Sequence, residues 1–207
     1  MTSTAIVVFA KAPLPGLAKT RLTSTLGADG AARLADRLLR HALHQARLAG
    51  LGPVELCVTP DRLHPSFVEL ARQPGVELTL QADGDLGRRM AHAFERCLPR
   101  DGRVLLIGTD APDLDSDRLR LAAAALDDHD AVFAPTFDGG YVLIGLRRPA
   151  PTLFTDMRWS HAGVMAETRH RLAAAGLLHH ELPLLHDIDE AADLPFLPAS
   201  WREVGGP

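Results

Sequence analysis

Residues 7–22 read VVFAKAPLPGLAKTRL, a greasy run giving way to a loop that holds Lys11, Lys19 and Arg21. Cations packed this closely repel one another unless an anion neutralises them, and Gly16 leaves the backbone free to approach that anion. Phosphate is the natural partner, and a solvated loop with ordinary surface cations is the alternative. The stretch is not a Walker A loop, because Lys19-Thr20 follows Ala18 rather than glycine and Pro13 stands where that motif has its first glycine. Further along, Gly108-Thr109-Asp110-Ala111-Pro112-Asp113 follows the apolar run Val104 to Ile107. A carboxylate placed there beside phosphates suits Mg²⁺ or Mn²⁺, which bridges carboxylate and phosphate oxygens, so Asp110 is the first expected metal ligand. Asp113 and Asp115 stand nearer a helix start and suit capping. In His186-Asp187-Ile188-Asp189 an extended backbone turns both aspartates one way and Ile188 the other. The pair reads equally as a metal site and as a surface turn in which Asp189 caps a short helix over Glu190 to Leu194.

Positioning these groups requires an α/β scaffold. Ala5 to Phe9 is a continuous β-branched and aromatic run, as expected of a strand covered on both faces, and Val54–Val58, Val76–Leu80 and Val104–Ile107 repeat the signal. Helical patterns over Ala28–Ala49, Pro65–Arg72 and Asp85–Leu98 separate them, and Gly or Pro clusters close each one. That alternation predicts a mostly parallel sheet with right-handed crossovers, and the basic loop then leaves the carboxyl end of the first strand, where open α/β sheets bind ligands. Later, Ala131–Pro135 and Tyr141–Leu146 flank a tight Asp138-Gly139-Gly140 turn, and a helix is expected over about His161–Ala175. One unit over residues 1–207 is expected, with a nucleotide-binding half over about 1–113 and a small antiparallel acceptor-side half over about 114–207.

Composition narrows the function classes. A net charge of -4 with a pI near 6.2 opposes a nucleic-acid or anionic-membrane surface, so anion binding must be local. The apolar run Ala5–Ala10 is too short for a signal peptide or a membrane span, which gives the expectation of a cytoplasmic protein without membrane insertion. Cys57 and Cys97 read as buried thiols, and the ten histidines show no zinc-site spacing. Arg33, Arg37, Arg40, His44 and Arg47 share one helical face, read as a solvated outer face.

Taken in order, FAKAPLPGLAKTRL, QADGDLGRRM, GTDAPDL, DGGYVLIGL, MRWS and HDIDEAADL span nearly the whole chain and resemble the DUF2064 family of glycosyltransferase-like proteins. The resemblance implies a GT-A-like, Rossmann-like three-layer sandwich acting on a nucleotide or nucleotide-sugar donor and a small-molecule acceptor. The opening loop is also similar to that of 2-phospho-L-lactate guanylyltransferase, which implies phosphate contacts for Lys11, Lys19 and Arg21. Asp110 matches the metal-holding aspartate of these folds. DIDEAADL resembles their D-T-P-E-D-L ending, which implies Asp189 as second ligand, although Glu190 and Ala191 stand where Thr and Pro belong. Related loops also imply Gln81 and Gly84 beside the nucleobase. Asp138 could orient or deprotonate an acceptor hydroxyl, with Gly139, Gly140, Trp159 and Ser160 shaping the acceptor side. Lys19, Asp110 and Asp138 form the expected catalytic set. Glycosyl transfer is the favoured chemistry and nucleotidyl transfer the alternative.

Overall fold

The computed structural model describes residues 3–202. All seven strands join one sheet: β1 (Ala5–Lys11), β2 (Val54–Thr59), β3 (Val76–Leu80), β4 (Val104–Ile107), β5 (Ala131–Pro135), β6 (Tyr141–Leu146) and β7 (His179–Glu181), in the order β3-β2-β1-β4-β6-β5-β7. The pairs β1–β2, β2–β3, β1–β4 and β5–β7 are parallel, and β6 runs antiparallel to both β4 and β5. The antiparallel part of the fold is thus carried by a strand inside the main sheet.

Among the described residues six helices complete the layers: α1 (Thr23–Ala49), α2 (Pro65–Leu70), α3 (Leu86–Asp101), α4 (Ser116–Ala125), α5 (Val164–Ala174) and α6 (Ala199–Arg202). Strand β1 shows how period-two alternation serves both faces. Ile6, Val8 and Ala10 enter the core shared with α1, α2 and α4, whereas Val7 and Phe9 enter the core shared with α3 and α5. The expected start of α1 at Ala28 corresponds to a break at Gly27, whose φ of 69 and ψ of 166 interrupt the helix one residue earlier. Asp85 and Asp115 cap α3 and α4, accepting from the backbone N–H groups of Arg88 and Arg118, each at 2.8 Å. Asp189 does not cap the turn that follows it: that 3-10 turn, Ala191–Phe196, has Glu190 as its cap residue.

The arginine face of α1 is less open than its spacing suggests. Arg40 pairs with Asp36 and with Glu69 of α2, and Arg37 lies 4.4 Å over the Trp201 ring. Both cysteines are buried and free. Among the described residues, no helix is long and apolar enough to cross a membrane.

Candidate functional site

Strands β1 and β4 are neighbours whose chain continuations leave in opposite directions across the sheet, so a crevice opens at their carboxyl ends. The basic loop after β1 and the Gly108–Asp113 segment after β4 form its two walls. A third segment arrives from far along the chain. Past β7, Leu185 bridges to Thr136, and the Ile188 N–H then donates to the Asp110 carbonyl at 2.9 Å while its side chain is fully buried. That anchor holds Asp187 and Asp189 at the crevice.

Two cavities share Phe9, Leu86, Gly108 and Asp110 in their walls. The first, about 450 Å³, is lined by Lys11, Lys19, Arg21, Gln81, Arg89, Asp110 and Asp189, among others. Lys19 lies at its centre of charge. Its ammonium meets Asp110 Oδ1 at 2.5 Å and donates to Asp189 Oδ1 at 2.7 Å, and its backbone takes the left-handed conformation with φ 48 and ψ 45. Burial alone would lower its pKa, but the Asp110 and Asp189 charges outweigh that and hold it above the ordinary lysine value. Lys11 donates to the Leu17 carbonyl at 2.9 Å, and Arg21 pairs with Glu190 at 3.2 Å across an exposed contact. Gln81 is fixed by its amide, which donates to the Cys57 carbonyl at 3.0 Å and accepts from Arg89 at 3.3 Å.

The second cavity, about 280 Å³, collects Thr136, Asp138, Gly140, Trp159, Ser160 and Asp187 against an apolar wall. Asp138 Oδ1 accepts from the Thr136 hydroxyl at 2.5 Å and from the Gly140 N–H at 2.9 Å, which fixes its carboxylate. Burial first, and then the Asp138, Asp189 and Asp110 charges, push the Asp187 carboxyl up to about 6.

The structure therefore brings Lys11, Lys19, Arg21, Gln81, Asp110 and Asp189 to one cavity and Asp110, Asp138, Gly140, Trp159, Ser160 and Asp187 to the other. Gly16, Gly84 and Gly139 stand outside both linings. Gly16 serves the turn of its loop at φ 74, with nothing within 4 Å of an added Cβ. At Gly84 an added Cβ would meet the side chain of Arg88, and at Gly139 it would run into the backbone of Ala162. At Gly87 an added Cβ would fall 2.7 Å from Nε1 of Trp159. Arg89 was not predicted. It sits one turn into α3 in the same QADGDLGRRM stretch, and only the packing of that turn beside Gln81 turns it into the cavity.

A solved structure of a candidate nucleotide-diphospho-sugar transferase from Desulfovibrio desulfuricans G20 is 33% identical, covers 99% of this chain and 90% of its own, and superposes with a TM-score of 0.87. CMP:2-keto-3-deoxy-manno-octonic acid synthetase, solved with CTP, is 13% identical over 97% of this chain and 99% of its own, with a TM-score of 0.61. Rv0371c of Mycobacterium tuberculosis H37Rv, solved with manganese, is 18% identical over 95% and 98%, with a TM-score of 0.59. At these lower identities the likeness is one of fold. No curated protein sequence matches. The DUF2064 family model, described as an uncharacterized protein conserved in bacteria, matches residues 40–161, so that with the close likeness to the Desulfovibrio protein the chain belongs to the DUF2064 family.

Proposed function

We propose that the protein is a divalent-metal-dependent transferase that moves a glycosyl group from a nucleotide-diphospho-sugar to a small-molecule acceptor. The observation that carries this reading is the meeting of a cationic loop with a carboxylate pair at the carboxyl ends of β1 and β4, where Lys19 joins Asp110 and Asp189. The description of the Desulfovibrio relative agrees with it.

In this reading Lys11, Lys19, Arg21 and Arg89 hold the diphosphate, with Gly16 shaping the loop and Gln81 and Gly84 on the nucleobase side. The donor set suits Mg²⁺ or Mn²⁺, because Asp110, Asp138, Asp187 and Asp189 gather hard carboxylate oxygens at one crevice, where burial first and then the other three charges push Asp187 up. Among the described residues no three His, Cys, Asp or Glu side chains are arranged to hold a metal, and the Lys19 ammonium lies between Asp110 and Asp189. Asp110 with Asp189 or Asp187 would hold the ion once Lys19 turns to the phosphates. When bound, the ion neutralises charge on the diphosphate. The acceptor oxygen bonds to the anomeric carbon as the bond to the diphosphate oxygen breaks, its electron pair leaving with the nucleoside diphosphate. The hydroxyl proton passes to Asp138, and Lys19 and Arg21 stabilise the departing charge. Gly139 and Gly140 shape the hairpin that presents Asp138, with Trp159 and Ser160 on the acceptor side.

The second reading is nucleotidyl transfer, in which an acceptor attacks the α-phosphorus and pyrophosphate leaves. The four cations of the first cavity favour it, because a triphosphate carries more charge for them to meet. Titrating matched nucleoside diphosphates, nucleotide sugars and triphosphates with Mn²⁺ at high salt, where exposed charges are screened, separates the two. The glycosyl reading expects the diphosphate or nucleotide sugar to bind at least as well as the triphosphate. A salt-resistant triphosphate preference, with pyrophosphate release on adding a phosphorylated acceptor, would overturn it.

A further inference from the structure

The two cavities are sorted by charge. Every cation at the crevice lines the first, whereas the second is lined by Asp110, Asp138 and Asp187 and by no lysine or arginine among the described residues. We infer that the acceptor is an unphosphorylated molecule presenting a hydroxyl group on a compact, largely apolar or ring-shaped body. This rests on the transferase reading above and specifies its second substrate.

A phosphate or carboxylate seated beside Asp138 and Asp187 would face like charges with no lysine or arginine to offset them, and an ion held at Asp110 would already be engaged by the diphosphate. His161 also lines the cavity, with its Nδ1 accepting from the Gly163 N–H at 3.0 Å. A hydroxylated neutral molecule meets the same groups favourably, since its O–H donates to Asp138 or Asp187. The rest of the wall includes Met90, Leu106, Val142 and Ile144, which suit an apolar edge or ring face rather than a highly hydrated ion. At about 280 Å³ the space admits one small molecule.

The test uses matched pairs at physiological salt: glycerol with glycerol 3-phosphate, methyl β-glucoside with glucose 6-phosphate, and 4-nitrophenyl β-glucoside with 4-nitrophenyl phosphate. Each is titrated calorimetrically into the full-length protein, with UDP or GDP and Mn²⁺ and again without nucleotide. The neutral member of at least one pair is expected to bind roughly tenfold or more tightly than its phosphorylated partner, as like-charge juxtaposition demands. Asp138→Asn, and separately Ser160→Lys at the rim, should narrow that ratio several-fold. Equal or tighter binding of the phosphorylated members to the wild type overturns the inference. So does a ratio that neither variant changes, or a failure of every neutral member to bind. Failure of the nucleotides themselves to bind sinks the transferase reading instead, while the titrations without nucleotide still report the charge selection.

Discussion

The Lys19 ammonium, with its side chain only 8% exposed, is held between Asp110 and Asp189, which keep 46% and 41% of theirs exposed. Removing it therefore leaves two carboxylates that water can reach. Because no buried charge is stranded, Lys19→Met is expected to keep a cooperative urea transition and an intact fold. The same variant should weaken nucleoside diphosphate binding by about 1.5–3 kcal/mol, the value of hydrogen bonds to charged groups, as read by calorimetry. Arg21→Gln should also weaken binding with little effect on stability, because its contact with Glu190 is exposed on both sides. Undiminished affinity in both variants would return the loop to a solvated role. For Asp110→Asn the expected loss is of the Mn²⁺ dependence of nucleotide binding with the fold intact, checked by titrating with and without the ion. Binding that still responds to Mn²⁺ in that variant would remove Asp110 from the ion's ligands.

Among the elements, α3 packs an apolar face on the sheet and is also tied to it by one part-buried ion pair. Glu55 of β2 is 2% exposed, and its carboxylate accepts from Arg96 at 2.5 and 2.8 Å, from the Thr79 hydroxyl and from Cys97 Sγ at 3.6 Å. Burial alone would raise its pKa, but the Arg96 and Thr79 hydrogen bonds outweigh that and hold it below the ordinary glutamate value of 4.5. A depressed carboxylate stabilises the fold fully above its unfolded value, and that contribution is lost as pH falls below about 4.5 through the folded value. Acid unfolding of the wild type should accordingly have a limb below that pH which Glu55→Gln/Arg96→Met flattens. Arg96→Met alone strands a buried charge and should cost about 3 kcal/mol in urea, more than the double variant. The hairpin between β5 and β6 is fixed differently. Gly139 has φ 88, its carbonyl accepts from the Met165 N–H at 2.9 Å, and an added Cβ would strike Ala162. Gly139→Ala should destabilise by about 1–3 kcal/mol and impair acceptor turnover while nucleotide affinity is kept. Lost nucleotide affinity there would mean that the two cavities are not separable.

Across the whole molecule a net charge of -4 coexists with a cavity lined by Lys11, Lys19, Arg21 and Arg89, because four of the 22 lysines and arginines converge at the carboxyl ends of the central strands. That concentration makes nucleotide binding a measurable stabilisation of the entire fold. At ~100 times its dissociation constant a bound diphosphate adds about 2.7 kcal/mol, which for a chain of this size raises Tm by roughly 5–10 °C. A thermal-shift series of nucleoside diphosphates and nucleotide sugars with Mn²⁺ should show that rise, and a flat series would count against a nucleotide donor altogether.

The apolar runs determined the first six strands, since a strand covered on both faces cannot be built from polar residues, and Val54–Val58 and Val104–Ile107 are buried as that pattern requires, whereas β3 gave the same signal but is an edge strand with Glu77 and Leu80 exposed. Position along the chain also marked Asp115 as a cap and the basic loop as the way out of β1. Strand β7 was invisible because His179, His180 and Glu181 form a short polar edge with no hydrophobic signal. Order in the sheet, and with it the neighbourhood of β1 and β4, was likewise a tertiary outcome. The spacing of Asp187 and Asp189 left a metal pair and a surface turn equally open. What decided their position was one long-range anchor, the buried Ile188 bonded to the Asp110 carbonyl, which delivers the two carboxylates to different cavities and gives Asp189 to a lysine 170 residues away. Local sequence carries propensity and pattern, but which distant charges meet is fixed by the shared core that buries the segments between them.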